Sequence, residues 1–291
     1  MLASSRGWGA EYTFIVAGLG GEPQYEARFR EQANALAAFA RQSADADAVI
    51  VLSGPEATRN AVRRALTTLT QSVQAQDAVT IVLIGHGSFD GEDYRLNLPG
   101  PDPTGRELAA WFDQLPSRRQ LIVNATSASG AVAEDWKRKH RIVITATKSG
   151  GERTATRFAQ HWTAAATTTA ADVNKDDLVT AAEAFDYARR QVETAFKADA
   201  ALATEHARLE GENASTFAVA GLGAAHASAG PETAGLLAQR GALELRLNEV
   251  KERKTALTEE AYYDELEQVL VKLALLQRRI DASRTSIEGG G

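Results

Sequence analysis

The chain has 291 residues, 44% of them apolar and 24% charged, which is ordinary for a globular protein with a substantial core. With 32 Lys and Arg against 38 Asp and Glu, the net charge is −6, which argues against a general nucleic-acid-binding protein. The absence of cysteine excludes disulfides, thiolate metal sites and a cysteine nucleophile.

No apolar run reaches the roughly 18 residues that a membrane span needs. The first ten residues also lack the apolar core of a signal peptide. We therefore expect a soluble protein without a membrane span. The compartment stays open, because a signal peptide removed beforehand would make the protein periplasmic or secreted.

Short apolar runs alternate with amphipathic segments over residues 11–225. The runs are continuously apolar, which is typical of parallel strands covered on both faces. We predict an α/β fold with an open, mostly parallel sheet flanked by helices. The predicted strands are Tyr12–Ala17, Ala48–Leu52, Ala78–Ile84, Leu121–Val123 and Arg141–Thr147.

Helices are predicted between the strands. One carries Phe29, Ala33 and Leu36 on a single face, and another spans Thr58–Leu69. A third spans Thr104–Gln114, with Thr104 as the N-cap and Glu107 as its capping-box partner.

The pattern changes towards the C-terminus. Gly221–Pro231 is rich in Gly, Ala and Ser and is predicted to be a linker. Two heptad-like stripes follow and predict an antiparallel helical hairpin with a break near Lys254–Thr258. We divide the chain into an α/β domain at 1–225 and, at 226–291, the linker and hairpin with a flexible glycine tail. The stripes are Leu236, Leu243, Leu247, Val250 and Leu257, then Leu266, Leu270, Leu273 and Ile280.

Two polar residues each come shortly after a predicted strand, and the two strands are consecutive in the chain. His86 lies in Gly-His-Gly after the third predicted strand, and Ser127 lies in Asn-Ala-Thr-Ser-Ala-Ser-Gly after the fourth. If these strands are neighbours, a base and a nucleophile face one crevice. The alternative is that His86 is an ordinary loop residue and Ser127 a turn former.

These two segments resemble the caspase-like cysteine peptidases, most closely the legumain branch. That family carries His-Gly after one strand and Cys-x-Ser-Gly after the next, so Ser127 stands at the position of its Cys, and Ser129-Gly130 matches its Ser-Gly. The resemblance covers residues 11–220 and implies a caspase-like fold. Residues 144–156 resemble the segment that lines the pocket for the residue before the cleaved bond, which implies Ser149, Thr154 and Thr156 as substrate-binding residues.

The change from Cys to Ser bears on activity. A Cys thiol ionises near neutral pH, whereas a Ser hydroxyl needs an aligned base. We expect a pseudo-peptidase that binds a peptide or protein partner, with Gly87 and Ser127 supplying backbone oxyanion donors. One alternative is an active serine hydrolase using Ser127 and His86. Another is a scaffold whose hairpin mediates assembly, which leaves open a homo-oligomer formed through the C-terminal helices.

A twelve-residue segment at 172–183 matches the EF-hand loop and predicts a structural calcium ion. Its sixth position is Asp177 instead of the usual Gly. The alternative is an acidic loop before a helix. The predicted ligands are Asp172, Asn174, Asp176, the Leu178 carbonyl, Thr180 and Glu183.

Overall fold

The computed structural model describes residues 10–42, 44, 46–175, 178–221 and 257–288, with separate positions between 236 and 254. The chain divides into two compact units, one of them spanning Glu11–Leu222 and the other including Gly223–Gly291. The predicted boundary at 225 and most of the predicted linker lie outside the described residues. None of the helices in the described ranges has the length and apolarity needed to cross a bilayer.

The secondary structure alternates as expected for an α/β fold. The strands are β1 (Glu11–Ala17), β2 (Val49–Ser53), β3 (Ala78–Ile84), β4 (Gly87–Phe89), β5 (Tyr94–Leu96), β6 (Arg119–Asn124), β7 (Arg141–Thr145), β8 (Leu178–Thr180), β9 (Arg208–Glu210) and β10 (Ala218–Gly221). The helices are α1 (Pro23–Ala40), α2 (Arg59–Ser72), α3 (Gly105–Phe112), α4 (Phe158–Thr167), α5 (Ala181–Ala198) and α6 (Glu259–Glu288).

The central sheet has six strands in the order β2-β1-β3-β6-β7-β9. The first five are parallel, and β9 pairs antiparallel with β7 at the edge. Two antiparallel pairs, β4 with β5 and β8 with β10, lie outside it. The predicted α/β class, with a mostly parallel sheet flanked by helices, is confirmed.

Both faces of the sheet are covered, which explains the continuous apolar runs. Neighbouring residues of β1 point to opposite sides, so Ile15 packs with α1, α4 and α5, while Phe14 packs with α2 and α3. The predicted capping box of α3 is confirmed, because Thr104 Oγ1 accepts from Glu107 N and Glu107 Oε2 accepts from Thr104 N. Helix α4 is an addition to the helices that the sequence pattern predicts.

The C-terminal unit has helical residues between 236 and 251 that pack against α6. Arg240 contacts Gln277, and Arg246 and Arg253 both contact Glu265. Residues further along the first segment thus contact residues nearer the start of α6, so the two helical segments run antiparallel, as in a hairpin. The glycine tail lies outside the described residues.

Candidate functional site at the ends of two parallel strands

The site lies where β3 and β6 end. These strands are neighbours in the sheet, with Leu83 in register with Asn124. The pairing continues one step beyond β6, because Ala125 N donates to Leu83 O at 2.9 Å. The carboxyl ends of parallel strands share one sheet edge, so the loops carrying His86 and Ser127 meet there.

The two loops touch through Gly87. A Cβ at this position would lie 2.5 Å from Ser127 O, 2.6 Å from the Tyr94 ring and 2.8 Å from Thr126 Oγ1. Such distances are too short for any side chain. Gly87 is therefore required for the close approach of the His-Gly segment to the Ser127 loop.

The half-buried His86 ring is held by the segment after β1 and by α1. Its Nε2 lies 3.2 Å from Gly20 O, and the rings of Tyr25 and Phe29 contact it edge-on at centroid distances of 5.1 and 5.3 Å. A carbonyl only accepts, so Nε2 carries the proton in this contact and Nδ1 is the basic nitrogen of the neutral ring.

Burial is the largest cause that lowers the pKa of His86 below 6.5. The contact with Gly20 O opposes this shift, and the nearby Arg28 guanidinium adds to it. Arg28 Nη2 lies 3.5 Å from Thr156 O and its guanidinium lies 4.8 Å from the Tyr25 ring centroid. The surroundings of His86 thus favour its neutral form.

Ser127 is buried, with only 1% of its surface exposed. Its Oγ has no hydrogen-bond partner among the described residues. The structure therefore brings the two loops together without joining His86 to the Ser127 hydroxyl. A serine nucleophile is normally activated through that hydrogen bond.

A buried polar network supports the Ser127 loop. Tyr94 Oη lies 2.6 Å from Thr126 Oγ1, which in turn donates to Asn124 Oδ1 at 2.8 Å. Burial raises the pKa of Tyr94 to about 12, so its hydroxyl stays protonated and donates. Asn124 Nδ2, like Ser127 Oγ, has no partner among the described residues.

The residues after Ser127 are fixed by the loop that follows β7. Ala128 has a φ of 56°, an uncommon conformation for a residue with a Cβ, and its N–H donates to Glu152 O at 2.7 Å. Gly130 N donates to Thr147 Oγ1 at 2.8 Å, and a Cβ on Gly130 would collide with the backbone of Lys148 and Ser149.

The three residues implied as substrate-binding lie in different surroundings. Ser149 and Thr154 are exposed. Thr156 is buried, and its Oγ1 donates to Ala125 O at 2.6 Å. Ser149 and Thr154 are thus accessible to a ligand, whereas Thr156 supports the backbone at the end of β6.

Sequence reasoning missed two carboxylates that hold this loop. Glu152 Oε1 lies 2.5 Å from His206 Nδ1. Glu205, 4% exposed, accepts from Arg157 N and Phe158 N at 2.8 Å each, which caps the start of α4. Burial is the largest cause that raises the pKa of Glu205, to about 7. No local pattern around Thr204-Glu-His marks either contact, because the partners lie about fifty positions away in the chain.

In the predicted calcium loop, Thr180 and Glu183 form the capping box of α5. Thr180 is the N-cap of α5, and Glu183 Oε2 accepts from Thr180 N and Thr180 Oγ1 at 2.9 and 2.8 Å. Lys175 has a φ of 58°. Asp176 and Asp177 lie outside the described residues. Among the residues that are described, no group of three His, Cys, Asp or Glu is placed to hold a metal.

No family model matches this chain, and no curated protein matches it. Among solved structures, the crystal structure of the protein GSU0716 from Geobacter sulfurreducens matches with a TM-score of 0.47 and 12% identity, covering 69% of this chain and 92% of that chain.

Proposed function

We propose that this chain is a pseudo-peptidase that resembles the caspase-like, legumain-type cysteine peptidases and binds a peptide or protein at the edge where β3 and β6 end. The observation that carries the proposal is the state of Ser127 Oγ, which is buried and has no hydrogen-bond partner among the described residues. A hydroxyl in that state has no base to take its proton.

The position of His86 supports the same conclusion. Its Nε2 is committed to Gly20 O, and the burial that lowers its pKa weakens it as a proton acceptor. A Cys thiol, with its far lower intrinsic pKa, depends less on an aligned base than a Ser hydroxyl does, so this arrangement costs a Ser nucleophile more.

We propose that the site still binds a peptide, because the features that would hold one do not depend on whether residue 127 is Cys or Ser. The backbone of Gly87 and Ser127, the loop held by Thr147 and Glu152, and the exposed Ser149 and Thr154 do not depend on a thiol. We include a structural calcium ion at residues 172–183 as part of this proposal, on the spacing of oxygen-bearing residues there.

The alternative is an active serine hydrolase in which Ser127 Oγ is the nucleophile. It requires the Ser127 loop to rearrange so that the hydroxyl reaches His86 Nδ1, since Nε2 is engaged elsewhere. Hydrogen bonds of this kind can tighten on substrate binding, so catalysis has to be measured directly.

The test is cleavage of a fluorogenic peptide library by the full chain. Wild type, Ser127→Ala, Ser127→Cys and the double variant Ser127→Cys/His86→Ala are compared, with thermal unfolding of each as the check on folding. We expect cleavage by Ser127→Cys alone, because only that variant combines a thiol nucleophile with His86.

Two results would overturn the proposal. Cleavage by wild type that Ser127→Ala abolishes would make Ser127 a working nucleophile and the chain a hydrolase. No cleavage by a folded Ser127→Cys variant would mean that no peptide is held in reach of residue 127.

A further inference from the structure

Helix α6 has a second apolar face in addition to the one inside the hairpin. On the inner face, Tyr262, Val269, Leu276 and Ile280 are buried. Successive residues of an α-helix are about 100° apart, so residues 263, 270, 271 and 275 point away from that inner face. The side chains on this outer face are between 47% and 54% exposed: Tyr263, Leu270, Val271 and Leu275.

The exposed apolar residues of the described chain are concentrated on this face. In the unit Glu11–Leu222, the large apolar side chains that are exposed, Leu19, Val173 and Leu202, lie far apart in the sequence. Single exposed apolar residues are normal on protein surfaces, whereas a contiguous group marks an interaction surface. The outer face of α6 is such a group.

Charge is distributed unevenly along the same helix. From Glu259 to Gln268 the sequence has five acidic residues and no basic one, and from Val269 to Ile280 it has three basic residues and no acidic one, while the last turns of the helix carry Asp281, Arg284 and Glu288. Glu265 is occupied by Arg246 and Arg253 within the hairpin. The other charged residues are exposed: Glu259, Glu260, Asp264, Glu267, Lys272, Arg278 and Arg279.

We propose that the outer face of α6 binds a second copy of this chain, with the two α6 helices antiparallel. In that arrangement the acidic segment 259–268 of each helix lies beside the basic segment 269–280 of its partner, and the apolar residues meet in the middle. A two-fold symmetric interface requires a surface that complements itself, and the charge order along α6 has this property. A parallel pair would place like charges together, which disfavours it.

Two hairpins that pair in this way form a four-helix bundle. This arrangement buries the outer apolar face that a single hairpin leaves in water. The other occupants that this face would accept are a different protein or another part of the same chain. Neither is expected to complement both halves of α6 in the way a second α6 does.

The oligomeric state of the full chain tests the proposal. Sedimentation velocity over a dilution series is run on wild type, on Leu270→Glu, and on Leu202→Glu as the matched control on the other unit. Glu is a good helix former, so Leu270→Glu removes the apolar contact without breaking α6. We expect a dimer for wild type and Leu202→Glu and loss of the dimer for Leu270→Glu, with unchanged helix content by circular dichroism.

A charge exchange tests the orientation. Glu260→Lys/Glu267→Lys removes the acidic excess among the exposed residues of 259–268, and Lys272→Glu/Arg278→Glu leaves Arg279 as the single basic residue of 269–280. Each variant alone should associate more weakly than wild type, and an equimolar mixture should regain the dimer.

Four outcomes overturn the proposal. Wild type that is monomeric at every concentration excludes the second copy as occupant. A dimer that persists in Leu270→Glu places the interface elsewhere. Unfolding of Leu270→Glu shows that the chain itself covers the face. A charge variant that alone associates as strongly as wild type, or more strongly, rejects the antiparallel pairing, because only a parallel pair would be relieved of repulsion between like charges.

Discussion

Gly87 lies so close to Ser127 that a Cβ on the glycine would stand 2.5 Å from the serine carbonyl oxygen. The two residues are forty positions apart in the chain and are joined by the pairing of β3 with β6. This contact, rather than a hydrogen bond between His86 and Ser127, is what unites the two halves of the candidate site.

Gly87→Ala should therefore destabilise the fold by about 2 kcal/mol, the usual cost of forcing an extra carbon into a packed site. The added methyl group would press on the Ser127 carbonyl and the Tyr94 ring. Urea unfolding measures the effect. Gly151→Ala is the matched control, because its nearest atom, Ser149 Oγ, is 3.5 Å from the new Cβ. Equal stability of the two variants would contradict the packing of Gly87.

The parts of this site that sequence predicts are those that follow strands. Continuous apolar runs are required wherever both faces of a sheet are covered, so β1, β3 and β6 are recognisable, and with them the places where His86 and Ser127 stand. Helix α4 is harder to recognise, because six of its ten residues are Ala or Thr, which give little contrast in hydropathy between the two faces. The short edge strand β9, Arg-Leu-Glu, is too polar to stand out.

The supporting polar groups could not be predicted for a different reason. Tyr94 reaches Asn124 and Thr126 across about thirty positions, and Glu205 reaches Arg157 and Phe158 across about fifty. Contacts of that range depend on the tertiary fold and leave no local spacing to detect. The lack of a partner for Ser127 Oγ is likewise a property of the folded loop alone.

Two serines of the same loop should respond oppositely to replacement by alanine. Ser127 Oγ is buried without a partner, so Ser127→Ala removes an unsatisfied group and should raise the free energy of unfolding by about 1 kcal/mol. Ser129 Oγ lies 3.2 Å from Thr147 Oγ1 and accepts from Thr147 N, so Ser129→Ala should lower it by a similar amount. Chemical denaturation compares them. A loss of stability in Ser127→Ala would show that its hydroxyl has a partner.

Glu205 should make stability fall as the pH rises from about 4.5 to about 7. Its pKa is raised in the folded state to about 7 from 4.5, so the native protein holds a proton that the unfolded chain has lost. A shift of that size corresponds to about 3 kcal/mol of stability. This stability is present at acid pH and is lost as the pH rises from the unfolded-state pKa to the folded-state pKa of Glu205. Glu205→Gln should flatten the curve, and the exposed Glu31→Gln serves as control. An unchanged slope in Glu205→Gln would contradict the prediction.

His86 acts in the opposite direction. Its pKa is lowered below 6.5, mainly by burial, so its contribution to stability is present above pH 6.5 and is lost as the pH falls through the folded pKa. Because the Arg28 charge adds to the lowering, Arg28→Gln should raise the pKa of His86, as read from its ring resonances by NMR titration. Arg30→Gln, at an exposed position of α1, should leave the pKa of His86 unchanged. A His86 titration that Arg28→Gln does not move would show that Arg28 is too well solvated to act on the ring.

Calcium binding at 172–183 can be separated from helix capping at Glu183. The capping box accepts Gln as well as Glu at this position, so Glu183→Gln keeps the contacts of α5 with Thr180 while removing the charge that would bind a cation. Calorimetric titration with calcium should therefore give heat with wild type and much weaker binding with Glu183→Gln, although both unfold at the same temperature without calcium. Glu193→Gln, further along α5, controls for the loss of one carboxylate. If neither wild type nor Glu193→Gln releases or absorbs heat on addition of calcium, the loop binds no calcium. The role of Glu183 is then to cap α5.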